Sequence, residues 1–185
     1  MRALLALPFL LAVAPLTLGG CPQCQDGCSD STDSGPTPTT NVTCVEAAAP
    51  GATDPTIVFG EGSGDSFAAF TGTPDRQIDY GDQGGQHFYV TARWYAPPAD
   101  GVLVLSYDSG SGNHGSQTIF NDPGCTGWLE ATTYVQLQQA VDESGTLHGA
   151  GGRCAASGCA YDEATDRYVL EETLAEADQA ISLTP

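Results

Sequence analysis

From residue 56 onward, apolar and polar positions trade places in short runs broken by Gly, Asp and Pro clusters. Thr56-Ile57-Val58-Phe59 is followed by Gly60-Glu61-Gly62-Ser63-Gly64-Asp65 and then by Phe67-Ala68-Ala69-Phe70. Residues 77–80 make a further short run. The clearest alternation covers residues 87–95. Phe88, Val90, Ala92 and Trp94 fall on one face, and His87, Tyr89, Thr91, Arg93 and Tyr95 on the other. That period of two belongs to a half-buried strand. Pro97-Pro98 ends it, because neither proline can donate to a ladder. Residues 102–107 are continuously apolar but for Ser106, which predicts a strand buried on both faces. Residues 117–120 and 128–141 follow, with a turn at Asp142-Glu143-Ser144-Gly145, and residues 149–166 read as a long loop. The stretch 167–184 divides opinion. It holds good helix formers without Gly or Pro, yet Arg167-Tyr168-Val169-Leu170 and Ala180-Ile181-Ser182-Leu183-Thr184 look extended. A hairpin turning near residues 176–179 is the expectation, with a helix as the other reading. Eight or so short strands at close spacing predict an all-β, antiparallel Ig-like sandwich over residues 44–185.

The N-terminal part has a different pattern. One basic residue, Arg2, precedes an apolar run over residues 3–18. The run is short for a membrane span, which needs about 20 apolar residues, and has the layout of a signal-peptide core. It ends Leu18-Gly19-Gly20-Cys21, which resembles the lipobox of bacterial lipoproteins. The resemblance implies a signal peptide over residues 1–20, cleavage before Cys21 and lipid on its thiol. Each buried CH2 of an acyl chain stabilises the anchored state by about 0.8 kcal/mol. Pro22 rather than Asp follows the cysteine, and by that resemblance outer-membrane sorting is expected. Residues 21–43, rich in Ser, Thr, Pro, Gly and Asp, read as a flexible linker that cannot bury enough apolar surface to order itself. Such a coil spans roughly 25 Å.

Composition narrows the partners. The chain has no lysine, and removal of Arg2 leaves four arginines against 23 acidic residues, a formal charge of 4 − 23 = −19. Nucleic acid is excluded as a partner by that balance. Of seven cysteines, lipid takes Cys21. Export places the remaining six in an oxidising compartment, where disulfides are the default. Six cysteines allow 15 connectivities. Local pairing favours Cys154 with Cys159 across a Gly-, Ala- and Ser-rich loop, and Cys24 with Cys28, which leaves Cys44 with Cys125.

The segment Gly81-Asp82-Gln83-Gly84-Gly85-Gln86-His87, with the aromatic strand after it, resembles one recurring in uncharacterised lipoproteins of myxobacterial type. There a Gly-x-Gln-Gly-Gly-x-His turn sits inside an Ig-like domain. The resemblance spans residues 57–107, implies fold and address, and brings no activity. His87 is expected to brace the turn; as a metal ligand it is a weak candidate, since His114 and His148 stand at no ligand spacing from it. Asp108-Ser109-Gly110-Ser111-Gly112-Asn113 hints at a calcium loop but lacks the acidic residues of an EF-hand, and reads as a plain turn. No Gly-x-Ser-x-Gly elbow, His-Glu-x-x-His or phosphate loop is present. The expectation is a non-enzymatic cell-envelope lipoprotein without a cofactor. It would be held to the membrane through Cys21 and would bind an envelope protein or glycan. The alternative is an exported copper-, zinc- or calcium-binding protein.

Overall fold

A computed structural model describes residues 40–45, 55–81, 85–120, 125, 127–163 and 167–185. The expected signal peptide, Cys21, Cys24, Cys28 and most of the expected linker lie outside the described residues. Among those described, every long element is a strand: β1 (Asn41–Val45), β2 (Ile57–Glu61), β3 (Ala68–Ala69), β4 (Asp75–Gln77), β5 (Asp79–Tyr80), β6 (Gln86–Tyr95), β7 (Val102–Ser109), β8 (His114–Phe120), β9 (Trp128–Leu137), β10 (Glu143–Arg153), β11 (Ala160–Asp162), β12 (Arg167–Val169) and β13 (Glu172–Thr184). One sheet runs β1-β9-β6-β2-β3, with β5 pairing the start of β6. The other runs β4-β13-β10-β7-β8, and β11-β12 form a separate two-stranded hairpin. The large sheets pack face to face as an all-β sandwich. Pairing is antiparallel except for β4 along the end of β13.

The core forms where the inner faces meet. Phe88, Val90, Ala92 and Trp94 on β6 all point inward and are buried, as their alternation requires. Leu129, Ala131 and Val135 of β9 lie beside them; Leu103, Leu105, Tyr107, Leu147, Ile181 and Leu183 face them from the second sheet. β7 is buried on both faces from Val102 to Tyr107. Cys44 of β1 is bonded to Cys125, Cα to Cα 5.2 Å, and Cys154 to Cys159, 4.7 Å, the two expected pairings.

Three expectations fail, each for a physical reason. Residues 143–145 of the expected turn and residues 149–153 of the expected long loop belong to β10. Its inner face reads Gly145, Leu147, Gly149, Gly151, so three of four core positions carry no side chain. The space is taken from opposite: a Cβ on Gly149 would stand 2.7 Å from Phe59 Cζ, and one on Gly151 2.6 Å from Trp94 Cε2. These glycines admit aromatic rings into the core. The hairpin expected at residues 176–179 is also absent, since β13 runs unbroken for 13 residues. Ala175, Ala177, Ile181 and Leu183 alternate inward, and the pairing with β10 holds each of them in register. Finally, the domain begins before residue 44. Asn41, Val42 and Thr43, assigned to the linker, pair with β9, and Thr40 Oγ1 lies 2.8 Å from Thr133 Oγ1.

Candidate functional site

The outer faces of the two sheets are covered differently. Over the first sheet, the 3-10 turn Gly64–Ser66 folds down on Arg93 and Glu130. Glu130 Oε1 accepts from Gly64 N at 2.8 Å, and Arg93 Nε donates to Glu130 Oε2 at 2.8 Å. Arg93 also donates to Gly64 O at 2.6 Å, under the Phe67 ring, whose centroid is 4.0 Å away. Thr91 Oγ1 donates to Gly62 O at 2.6 Å. Each of these polar groups is met, so this patch of the face is closed over.

Over the second sheet stands the β11–β12 hairpin. Its root is fixed on both sides. Cys154–Cys159 closes the chain leaving β10, and Glu171 N donates to Arg153 O at 2.8 Å. Arg153 also joins Asp100 at 2.9 Å and Glu172 at 2.6 Å, and its guanidinium holds the Asp100 carboxyl below the usual carboxylate range. Within the hairpin, Tyr161 meets Tyr168 edge-on at 5.2 Å.

Between hairpin and sheet lies a cavity of about 450 Å3, within the roughly 300–1,000 Å3 of small-ligand sites. Register builds its floor. Val104 of β7 stands opposite Ala150 of β10, which stands opposite Glu176 of β13. One row along, Ser106, His148 and Asp178 are opposed in the same order. Arg167 and Tyr168 form the roof. His148 Nδ1 lies 2.7 Å from Asp178 Oδ1, and Arg167 reaches Asp108 at 3.4 Å. Glu176, by contrast, has no hydrogen-bond or ion-pair partner among the described residues.

A serine, histidine and aspartate in one row invite comparison with a hydrolytic triad. Here no hydrogen bond joins Ser106 to His148 among the described residues. The three also sit on central strands, where backbone N–H groups are engaged in the ladders rather than aimed at a substrate oxygen. The row therefore offers donors and acceptors rather than an activated nucleophile.

The residues singled out in the sequence do not converge. His87 is 6% exposed on the outer face of the first sheet, with its ring 5.1 Å from Tyr89 and 5.4 Å from Tyr134. The turn before it is closed by Gly81 N donating to Gly85 O at 2.8 Å, while residues 82–84 lie outside the described residues. His114 bonds Gly112 O and Gln138 Nε2, at 3.0 and 2.8 Å. His148 is in the second sheet. Among the described residues no three His, Cys, Asp or Glu side chains cluster as a metal would need. The supposed calcium loop is the β7–β8 turn. Asn113 is buried there; its Nδ2 donates to Gln139 O at 3.0 Å and to Glu143 Oε1 at 2.5 Å, and Ser111 donates to Glu143 Oε2 at 2.5 Å. Burial opposes the charge on Glu143, but bonds from Ser111, Ser109 and Asn113 outweigh it and hold the carboxyl below its ordinary value. Burial first, and then the Glu143 charge, push the Tyr107 hydroxyl up.

No protein-family model matches the chain, and no curated relative matches it. Among solved structures, the N-terminal domain of PorA is similar at 12% identity and a TM-score of 0.32, over 69% of this chain and 96% of that one.

Proposed function

We propose that the chain is a lipid-anchored cell-envelope protein, tethered through Cys21, whose β-sandwich is a non-catalytic binding module for a small polar ligand. The observation that carries the binding half is the roofed cavity on the second sheet, with its apolar pair Val104 and Ala150 beside the polar row Ser106, His148 and Asp178. Pockets of this kind combine a few polar groups that orient a ligand with apolar surface that desolvates it. The disulfide and the Arg153 contacts at the hairpin root support the same reading, because a pre-formed roof lowers the ordering cost of binding. The anchor half rests on Leu18-Gly19-Gly20-Cys21 and the apolar run before it. Its place would be the outer membrane.

Two experiments test the two halves. Radiolabelled fatty acid should enter the wild-type chain and leave Cys21→Ser unlabelled and released from membranes; label still entering the variant refutes the anchor. Fragment screening by NMR on the full chain should collect hits at Arg167, Tyr168 and His148. Hits that avoid those residues refute the pocket.

A further inference from the structure

We propose that the roofed pocket takes a neutral saccharide, seated with one ring face against Tyr168 and its hydroxyl rim along Glu176 and Asp178. The inference rests on the binding-module reading above and names the ligand class.

Charge removes the anions first. The whole chain carries −18, and two carboxylates, Glu176 and Asp178, border the cavity. A phosphate or an acidic peptide would meet repulsion on entry. A strongly cationic ligand is disfavoured by the roof, where Arg167 stands over the same space. Arg167 is already paired with Asp108 at 3.4 Å, and Asp178 is hydrogen-bonded to His148 at 2.7 Å. What remains is chiefly hydrogen-bonding capacity, rich in acceptors along β13. Among the described residues Glu176 keeps two free acceptor oxygens, Ser106 can donate or accept, and with Nδ1 donating to Asp178 the Nε2 of a neutral His148 accepts. Mixed donors and acceptors at the rim of a small apolar floor suit a polyol.

The aromatic evidence is independent of that argument. Tyr168 is 37% exposed and Tyr161 47%, on a hairpin of only three residues a strand. Large aromatic rings left half in water mark contact surfaces rather than core. Tyr161 buttresses Tyr168 edge-on, so the Tyr168 ring is held in place. A pyranose has an apolar C–H face and a ring of equatorial hydroxyls. The first matches a tyrosine face and the Val104–Ala150 floor; the second matches the carboxylates of β13, two residues apart and on one side of the strand. The cavity has room for about one or two sugar rings.

The full chain is titrated by saturation-transfer NMR and calorimetry with N-acetylglucosamine, its β-1,4-linked dimer, galactose and maltose, with spermidine and inorganic phosphate as charged probes. At least one neutral saccharide should bind. Tyr168→Ala and Glu176→Gln should each weaken it about tenfold or more with melting unchanged, whereas Tyr80→Ala, an exposed tyrosine on another strand, should leave it unaltered. Saccharide binding indifferent to both pocket variants overturns the assignment. Spermidine or phosphate binding that is lost in Tyr168→Ala, without saccharide binding, overturns the ligand class and leaves the binding-module reading standing. No probe bound anywhere in the pocket overturns both.

Discussion

A methyl group at Gly151 should be enough to damage the core. The position is on the inner face of β10, and an added Cβ would lie 2.6, 2.8 and 2.9 Å from Cε2, Cζ2 and Cδ2 of Trp94. The indole cannot retreat. Gly101, just before β7, also comes so close that a Cβ there would stand 2.8 Å from Trp94 Cη2, and the ring is fully buried. Overpacking of this kind costs about 1–3 kcal/mol. Gly→Ala also removes freedom from the unfolded chain, which returns about 0.4–1 kcal/mol. Gly151→Ala should therefore destabilise by about 1–2 kcal/mol, roughly 3–8 °C in Tm for a domain of this size. Gly110→Ala is the control, because nothing lies within 4 Å of the added carbon and its φ is not left-handed; it should be neutral or slightly stabilising. Trp94→Phe sacrifices no hydrogen bond among the described residues, where the indole N–H has no partner, and it shortens the ring that causes the clash. In a double-variant cycle, read by urea unfolding under circular dichroism, the pair should couple by at least about 0.5 kcal/mol, with Gly151→Ala milder in the Phe background. Trp94→Ala alone should cost about 3–5 kcal/mol. The slot argument is refuted by a Gly151→Ala as harmless as Gly110→Ala, or by strict additivity in the cycle.

Two further outcomes concern carboxylates. Glu130→Gln should cost about 2–4 kcal/mol by chemical denaturation, a little under the usual figure for breaking a buried pair because Arg93 keeps some water; a loss under about 0.5 kcal/mol would mean that Arg93 and the Gly64–Ser66 turn do not depend on it. Glu143 titrates lower in the folded chain than in the unfolded one, so its contribution is complete above the unfolded carboxylate pKa of about 4.3 and is lost as pH falls through the lower folded value. Urea midpoints of Glu143→Gln should accordingly decline less than those of wild type between about pH 5 and pH 3, after a loss of about 1 kcal/mol at neutral pH; parallel pH curves would mean that the bonds from Ser111, Ser109 and Asn113 do not favour the Glu143 carboxylate.

How much was legible depended on what each residue had to say locally. Residues 87–95 carry large apolar groups at every second position, so period and face could be read without a partner. Residues 149–153 could not, because β10 is half of an interlock: its glycines are meaningful only beside Phe59 and Trp94, which are contributed by the other sheet. Read alone, Gly149-Ala150-Gly151-Gly152 has the composition of a loop. The misplaced turn at residues 176–179 has a related cause. Ala175 and Ala177 give a weak hydrophobic signal, and it is the β10 pairing that keeps Glu176 to Gln179 extended. Of the disulfides, Cys154–Cys159 was legible because five residues of separation let the thiols meet locally, whereas Cys44–Cys125 bridges 81 residues and was only what the local pairings left over. The pocket was not. Ser106, His148 and Asp178 lie dozens of residues apart and become neighbours only through register.

The two outer faces then make a physical contrast that bears on function. Both sheets had to cover apolar or polar groups on the side away from the core. The first does so with a tight turn, and its ion pair, threonine and backbone amide are all matched at 2.6–2.8 Å. The second sheet is covered by a hairpin held at its root by a disulfide and by Arg153, and a cavity lies between its Arg167 and Tyr168 and the strands beneath. Filling that gap would have taken only larger residues than Val104, Ala150 and Ser106. Small floor residues under a braced roof, with Glu176 unmatched and two tyrosines half in water, leave binding capacity that stability does not require. Functional sites are where such local inconsistencies are expected. This contrast, more than any single residue, is the reason to look for the ligand on the second sheet.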